Sequence, residues 1–180
     1  PGTQLKLNDT IDGGDGTDTL TITGGNITSA TVFGGVSGIE VIKPTDGSDI
    51  TAAGSLGGAT TFDLSANDKN ELTLGSTGWT SDTTVTFGVA ADTGTNDDVV
   101  TNSANVTLTV NSRDDDIESD TTLTGGTGTD TLNLTATGGS ANLAAVTNFE
   151  QVNVVDATVA GTDITITPNL TTTKVQNISA

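Results

Sequence analysis

The sequence has no cysteine, no histidine and no methionine, and aromatic residues make up only 3% of its 180 positions. Without thiols or imidazoles, the chain has no disulfide, no zinc or iron site of the usual kind and no histidine-based acid–base catalysis. The shortage of aromatic residues predicts a thin, aliphatic core. No run of 18 apolar residues is present, so we expect a soluble segment that does not insert into a membrane, with any export signal outside it.

Basic residues are also scarce, because 5 Lys and Arg stand against 23 acidic residues and give a net charge of −18. Nucleic acid and anionic lipid would repel such a chain, so neither is expected as a partner. Of the acidic residues 19 are Asp and only 4 are Glu, and Asp suits both turns and the binding of a hard cation such as calcium. No nucleophile with a base partner, phosphate-binding lysine loop or HExxH motif is present, which predicts a protein that is not an enzyme.

Short runs in which Thr, Val, Ile and Leu alternate with polar residues predict an all-β chain, since helix-forming residues are few. Regularly spaced Gly, Asn, Asp and Ser separate these runs. This pattern is typical of parallel β-solenoid or β-helix-like units with Gly-Asp turns, and also of tandem β-sandwiches. The predicted strands are 20–23, 27–33, 39–43, 60–65, 71–75, 83–89, 105–111, 130–136, 149–155, 163–167 and 173–179.

One phrase occurs twice: GGDGTDTLTIT, from Gly13 to Thr23, returns 112 positions later as GGTGTDTLNLT, from Gly125 to Thr135. The segments that follow, GIEVI and NFEQVNV, also correspond. Internal duplication therefore predicts two related β units, 1–66 and 120–180, on either side of an intervening β segment, 67–119. We expect this array to be a fragment of a longer repetitive chain.

Both copies satisfy the nonapeptide G-G-x-G-x-D-x-U-x of calcium-binding β-rolls, with Asp18 and Asp130 in the acidic position. Its glycines let carbonyl oxygens turn inward and its aspartate supplies charge. One nonapeptide supplies only half of a calcium site. In the first copy an aspartate stands at every third position from Asp9 to Asp18, which makes this copy the stronger candidate. The predicted calcium ligands are Asp9, Asp12, Gly14, Asp15, Gly16 and Asp18 in the first copy, and Asp120, Gly126, Gly128 and Asp130 in the second.

These nonapeptides, with the GIEVI and NFEQVNV segments, resemble the repeats-in-toxin calcium-binding proteins and, more closely, bacterial surface-layer proteins and giant adhesins exported by type I secretion. The resemblance implies a secreted protein at the bacterial cell surface, whose β units fold and assemble when calcium binds. The implied partners are copies of the chain in a lattice or array, calcium, and cell-surface polysaccharide. The sequence departs from a regular β-roll in lacking long tandem nonapeptides.

Simpler interpretations remain open for each motif. A GGxGxD phrase is also a turn between strands. The acidic run from Arg113 to Glu118 is either a second calcium loop or a solvated connection. For Asp97-Asp98 and for Asp46 with Asp49, turn chemistry is the preferred interpretation.

Three further side chains bear on function. Glu40 and Glu150 occupy equivalent positions in the two units, and we interpret them as structural residues at an edge strand or facing solvent rather than as a catalytic pair. Trp79, the only tryptophan, would stack on a sugar if it were exposed, but we expect it to be buried. The alternative functions are a ligand-binding or spacer module of a secreted adhesin.

Overall fold

A computed structural model describes residues 9–23, 33–45, 49–52, 58–65, 71–75, 79–87, 99–137, 140–156, 165–167 and 174–178. The described residues form short strands, with helical structure limited to 3-10 turns such as Asp114–Asp116 and Leu143–Ala145. The strands are β1 (Ile11–Asp12), β2 (Thr19–Ile22), β3 (Val36–Ser37), β4 (Val41–Pro44), β5 (Asp49–Ala52), β6 (Thr61–Leu64), β7 (Glu71–Leu74), β8 (Thr83–Phe87), β9 (Val99–Asn102), β10 (Leu108–Arg113), β11 (Thr122–Thr124), β12 (Thr131–Ala136), β13 (Ser140–Asn142), β14 (Val146–Thr147), β15 (Gln151–Asp156), β16 (Thr165–Thr167) and β17 (Lys174–Ile178).

The strands form parallel sheets that together make a β-solenoid. The largest sheet has eight strands in the order β2-β4-β6-β8-β10-β12-β15-β17, and a second has five in the order β5-β7-β9-β11-β14. Two smaller parallel pairs are β1-β3 and β13-β16. From β4 to β15 the chain visits the second sheet between successive strands of the first, so each circuit adds one coil to the solenoid.

The register of the eight-stranded sheet shows how regular the coils are. The residues that face one another along it lie 20 to 25 positions apart in sequence: Thr19, Val41, Thr61, Thr84, Thr109, Thr131, Gln151 and Lys174. Each coil therefore contains 20 to 25 residues. The duplicated phrases lead into β2 and β12, which lie five strands apart in the same sheet.

The core consists mainly of aliphatic residues, joined by the four phenylalanines and Trp79, and the buried residues alternate with outward polar ones along the strands. In β8 the pattern of buried and half-buried residues alternates without interruption from Thr83 to Phe87. Phe62 is fully buried, and its ring centroid lies 5.9 Å from that of Trp79. The other inward residues of the same row are branched and aliphatic, as the sequence predicted: Ile42, Val85, Val110, Leu132 and Val152.

The all-β, solenoid prediction is confirmed, and ten of the eleven predicted strands overlap observed ones. Most of the remaining predicted strand, 27–33, lies outside the described residues. The sandwich alternative is wrong, because every strand pair among the described residues is parallel rather than joined by hairpins. The sheets also continue across the predicted unit boundaries, since β6 pairs with β8 and β10 pairs with β12.

Sequence analysis missed most of the second sheet, namely β5, β9, β11 and β14, together with β1, β3 and β13. These strands are two to four residues long. So few residues contain at most one inward apolar side chain beside a turn residue. The sequence of such a short strand shows no alternation that would distinguish it from a loop. The strand is extended because it pairs with strands of neighbouring coils.

Candidate functional site

The two glycine–aspartate phrases form corresponding turns, between β1 and β2 and between β11 and β12. In each turn the first glycine faces a backbone carbonyl of the next coil. A Cβ on Gly13 would lie 1.9 Å from the Gly38 carbonyl oxygen, and a Cβ on Gly125 would lie 2.0 Å from that of Asn148. Gly38 and Asn148 both have left-handed backbones, with φ of 60° and 57°. This contact explains the first glycine of the phrase in both copies.

The later glycines meet different requirements in the two copies. Gly14 and Gly16 have φ of 84° and 126°, values that L side chains rarely adopt. Gly126 instead packs on the preceding coil, where a Cβ would lie 2.3 Å from the carbonyl oxygen of Ala104; at Gly128 the oxygen is that of Val106, at 2.2 Å. The later glycines therefore permit a turn conformation in the first copy and close packing between coils in the second.

Asp130, in the acidic position of the second phrase, is fully buried. Its Oδ1 accepts a hydrogen bond from the backbone N–H of Leu108 at 2.7 Å, 22 residues earlier and one coil back. Its Oδ2 is buried, and no hydrogen bond of standard geometry reaches it within the described part of the chain. Burial raises the pKa of Asp130 and the charge of Glu150 adds to this, while the N–H groups of Leu108 and Gly126 and the side chain of Asn102 lower it.

The glutamates that follow each phrase join one coil to the next. The N–H of Asp130 donates to Glu150 Oε2 at 2.7 Å, and the N–H of Asp18 donates to Glu40 Oε2 at 2.9 Å. Both glutamates are half-buried. A structural role for this pair agrees with these contacts, but the expected position at an edge strand or facing solvent is wrong, because both glutamates are half-buried and precede the interior strands β4 and β15. Sequence analysis also missed the contact itself. The available signal was spacing, because each glutamate follows its aspartate by about one coil.

Asp18 has the same position as Asp130 but a less enclosed environment. It is half-buried, whereas its Oδ2 atom is fully buried and has no hydrogen-bond partner among the described residues. Its main-chain carbonyl accepts from the N–H groups of Glu40 and Val41 at 3.2 and 3.0 Å. The carbonyl of Asp130 likewise accepts from Glu150 and the residue after it. The backbone corner is thus duplicated along with the side chains.

The other predicted acidic ligands do not gather around these two aspartates. Asp9, Asp12 and Asp15 are exposed, and Asp12 Oδ1 accepts from the Gly14 N–H at 3.2 Å and from the Ser37 hydroxyl at 3.3 Å. Asp120 is half-buried, and its Oδ1 is buried without a hydrogen-bond partner. Within the described ranges, no three acidic side chains are grouped so that they could hold a metal ion.

The acidic run after β10 forms a corner of the solenoid. Asp114 is fully buried and its Oδ1 accepts from both the N–H and the hydroxyl of Thr137, in the next coil. Arg113 pairs with Asp116 at 3.3 Å. These contacts give the run a structural role beyond that of a solvated connection. Of the other acidic pairs, Asp46, Asp97 and Asp98 lie outside the described residues, and Asp49 begins β5.

Trp79 is buried, as expected, with 4% of its surface exposed. Its Nε1–H donates to the Ser81 carbonyl at 2.9 Å and to the Thr83 hydroxyl at 2.8 Å. The ring is therefore part of the core, with its polar atom satisfied, and it offers no face on which a sugar could stack.

No protein-family model matches this chain, and neither a curated protein nor a solved structure matches it. The resemblance to surface-layer and repeats-in-toxin proteins accordingly stays a prediction that rests on the nonapeptides and the segments after them. Among the described residues, the structure has no helix of the length and hydrophobicity needed to span a bilayer.

Proposed function

We propose that this chain is a structural module of a bacterial surface layer or cell-surface array, secreted from the cell and assembling with copies of itself. The observation that supports this proposal is the continuous eight-stranded parallel sheet, whose coils are joined by paired carboxylate contacts. A solenoid of this kind has a stiff, repetitive surface and extends by adding coils. Such properties suit a scaffold better than a catalytic centre, and we propose no enzymatic activity.

Calcium is the proposed ligand of this scaffold. Asp18 and Asp130 each direct one buried carboxylate oxygen, without a hydrogen-bond partner, into a glycine-rich turn. Carboxylate and carbonyl oxygens are the ligands that calcium prefers. Each of these two oxygens would therefore bind a separate ion, and main-chain carbonyls would complete the shell of that ion. An ion that binds only the folded chain stabilises it through mass action. Calcium at Asp130 would also offset the unfavourable burial of its charge.

The first experiment is a calcium titration after exhaustive chelation, followed by circular dichroism, thermal unfolding and light scattering. We expect calcium to raise the melting temperature and the particle size together. Asp18→Asn and Asp130→Asn should raise the calcium concentration needed for half of the effect. Glu71→Gln is a matched control, because it removes one charge from an exposed position in β7.

The outcomes separate the parts of the proposal. Equal stability with and without calcium would show that the glycine phrases are turns alone. Calcium-dependent stability in a monomer of constant size would contradict self-assembly and favour a spacer module of an adhesin. The ligand-binding alternative has lost its candidate residue, since Trp79 is buried; binding of cell-surface polysaccharide would have to use another surface.

A further inference from the structure

Strand β2 forms an edge of the eight-stranded sheet. It pairs with β4 on one side, and no strand among the described residues pairs with its other side. On the β4 side, the carbonyls of Asp18 and Ile22 accept N–H groups from the coil of β4. Because alternate residues of a strand bond to opposite neighbours, the N–H and carbonyl groups of Thr19 and Thr21 point away from β4. This edge is a template for one more parallel strand.

The second glycine–aspartate phrase shows what such an edge contacts when a coil precedes it. Strand β12 is the counterpart of β2, and it pairs with β10 in the preceding coil. The Leu108 N–H of that coil donates to Asp130 Oδ1 at 2.7 Å. Gly126 and Gly128 pack on carbonyl oxygens of the same coil. The preceding coil therefore contacts the phrase at its aspartate and at two of its glycines.

The first phrase lacks these contacts in the part of the chain that the structure describes. A Cβ on Gly14 would meet no atom there within 4 Å, and one on Gly16 would meet only Asp18 Oδ2, at 4.0 Å. No N–H group of a preceding coil is bonded to the Asp18 carboxylate. Leu20 is half-buried, whereas Leu132, at the equivalent position of β12, is fully buried. This turn is therefore one half of a joint whose complete form occurs in the second phrase.

Strand β17 has the properties of the missing neighbour. It lies at the opposite edge of the same parallel sheet, and among the described strands it pairs with β15 alone. The register places Val175 and Gln176 in the columns of Val110 and Asn111, so β17 and β10 both have a valine followed by an amide residue there. A second copy moved along the direction in which the coils stack would bring its β17 beside β2 without reversing a strand.

We propose that a second copy of the chain docks on β2 through its own β17, so that the copies stack end to end in one continuous parallel sheet. This inference rests on the proposed self-assembly and names the surface that carries it. The contact is heterologous, because one end of the solenoid meets the other, so it extends the array one copy at a time. The docked coil completes the Asp18 turn as the coil of β10 completes the Asp130 turn.

The charge of the chain opposes this docking. Two copies of net charge −18 repel one another, and Asp9, Asp12 and Asp15 are exposed in the same coil as β2. Calcium lowers this repulsion by binding and screening carboxylates. End-to-end docking should therefore need calcium even where the single chain is folded without it.

Thr21→Pro tests the docking edge. Proline removes an N–H that points to the free edge, from an exposed outward residue, so pairing with β4 stays intact. Thr21→Ala is the matched control, because it changes the side chain and keeps the N–H. Analytical ultracentrifugation compares the full-length proteins in millimolar calcium. We expect the wild type and Thr21→Ala to associate, and Thr21→Pro to stay monomeric with an unchanged circular dichroism spectrum.

A cross-link identifies the two strands that meet. The chain has no cysteine, so Thr21→Cys and Gln176→Cys each introduce a single thiol. In the proposed register these positions are neighbours between copies, within reach of a disulfide. Mixed in calcium and mildly oxidised, the two variants should give a dimer with one copy of each, identified by mass spectrometry. This experiment tests the interface without Thr21→Pro if that variant does not fold.

The outcomes separate this interface from self-assembly in general. Calcium-dependent association that Thr21→Pro leaves unchanged would overturn the interface and leave self-assembly standing. A disulfide between two copies of Thr21→Cys, or no mixed dimer although Thr21→Pro blocks association, would overturn the assignment of β17. A wild type that stays monomeric in calcium would overturn both the interface and the proposed self-assembly.

Discussion

Glu150 and Asp130 are joined twice, in opposite directions: the Asp130 N–H donates to Glu150 Oε2 at 2.7 Å, and the Glu150 N–H donates to the Asp130 carbonyl at 3.1 Å. Glu40 and Asp18 repeat both contacts in the first unit, at 2.9 and 3.2 Å. Each glutamate therefore joins its coil to the preceding coil through its side chain and its backbone. The duplication therefore preserves a joint between coils as well as a turn.

Replacing the glutamate of this joint should destabilise the chain. Glu150→Ala leaves the Asp130 N–H without its charged acceptor, so we expect a loss of about 1.5–3 kcal/mol in the free energy of unfolding. Glu40→Ala should lose less, about 0.5–1.5 kcal/mol, because Asp18 is only half-buried and water can replace the acceptor. Denaturant unfolding measures both, with Glu71→Ala as the control. Equal, negligible losses in both variants would show that the joint does not contribute to stability.

The buried Asp130 predicts a pH dependence of stability. Its pKa is higher in the folded protein than the ordinary value of 3.8, mainly because of burial. The folded state then binds the proton more tightly, so the stability associated with protonated Asp130 is complete below the unfolded pKa and is lost as pH rises through the folded pKa.

Asp130→Asn tests this sign in chelated buffer. Relative to the variant, the wild type should lose unfolding free energy as pH rises above 4, and thermal melts at a series of pH values measure the difference. A constant difference between the two proteins across that range would contradict the raised pKa. Glu71→Gln, at an exposed position, should follow the wild-type profile.

Two glycines from different copies of the phrase, Gly125 and Gly14, should differ sharply in their tolerance of a methyl group. Gly125→Ala places Cβ 2.0 Å from the Asn148 carbonyl oxygen and 2.6 Å from Asp130 Oδ2, so the coils must separate. We expect a loss above about 4 kcal/mol or failure to fold. Gly14→Ala meets no atom within 4 Å, and its φ of 84° should limit the loss to about 1–2 kcal/mol. Similar losses in the two variants would contradict the close contact between coils at Gly125.

Trp79 should report burial in solution. We expect blue-shifted fluorescence with little quenching by acrylamide, and no response to saccharides, because the ring packs near Phe62 and its N–H is bonded inside the chain. Trp79→Phe should lower the unfolding free energy by about 1–3 kcal/mol, since the Thr83 hydroxyl and the Ser81 carbonyl lose a buried donor. Quenching by a saccharide in the native protein would restore the sugar-stacking hypothesis.

The strands that sequence analysis identified are those in which alternation lasts long enough to be recognised. The phrase TLNLTA in β12 has three inward residues in six, and its boundaries were predicted correctly at 131–136 apart from one extra residue at the start. By contrast β14, with two residues, has one inward valine and carries no periodicity of its own. Its extended backbone depends on pairing with β11 in the preceding coil.

The sequence by itself determined an all-β chain with repeated coils, because alternation and turn residues are local properties that any window of the chain displays. It also indicated that Asp18 and Glu40 correspond to Asp130 and Glu150, because the two copies of the duplicated segment can be aligned directly. Only the tertiary structure decided what these residues touch. Stacking coils about 20 residues apart brings Leu108, Asp130 and Glu150 into one line, and the resulting burial raises the pKa of Asp130 and leaves its Oδ2 without a hydrogen bond. The distances between coils arise from parallel register, which no local pattern specifies.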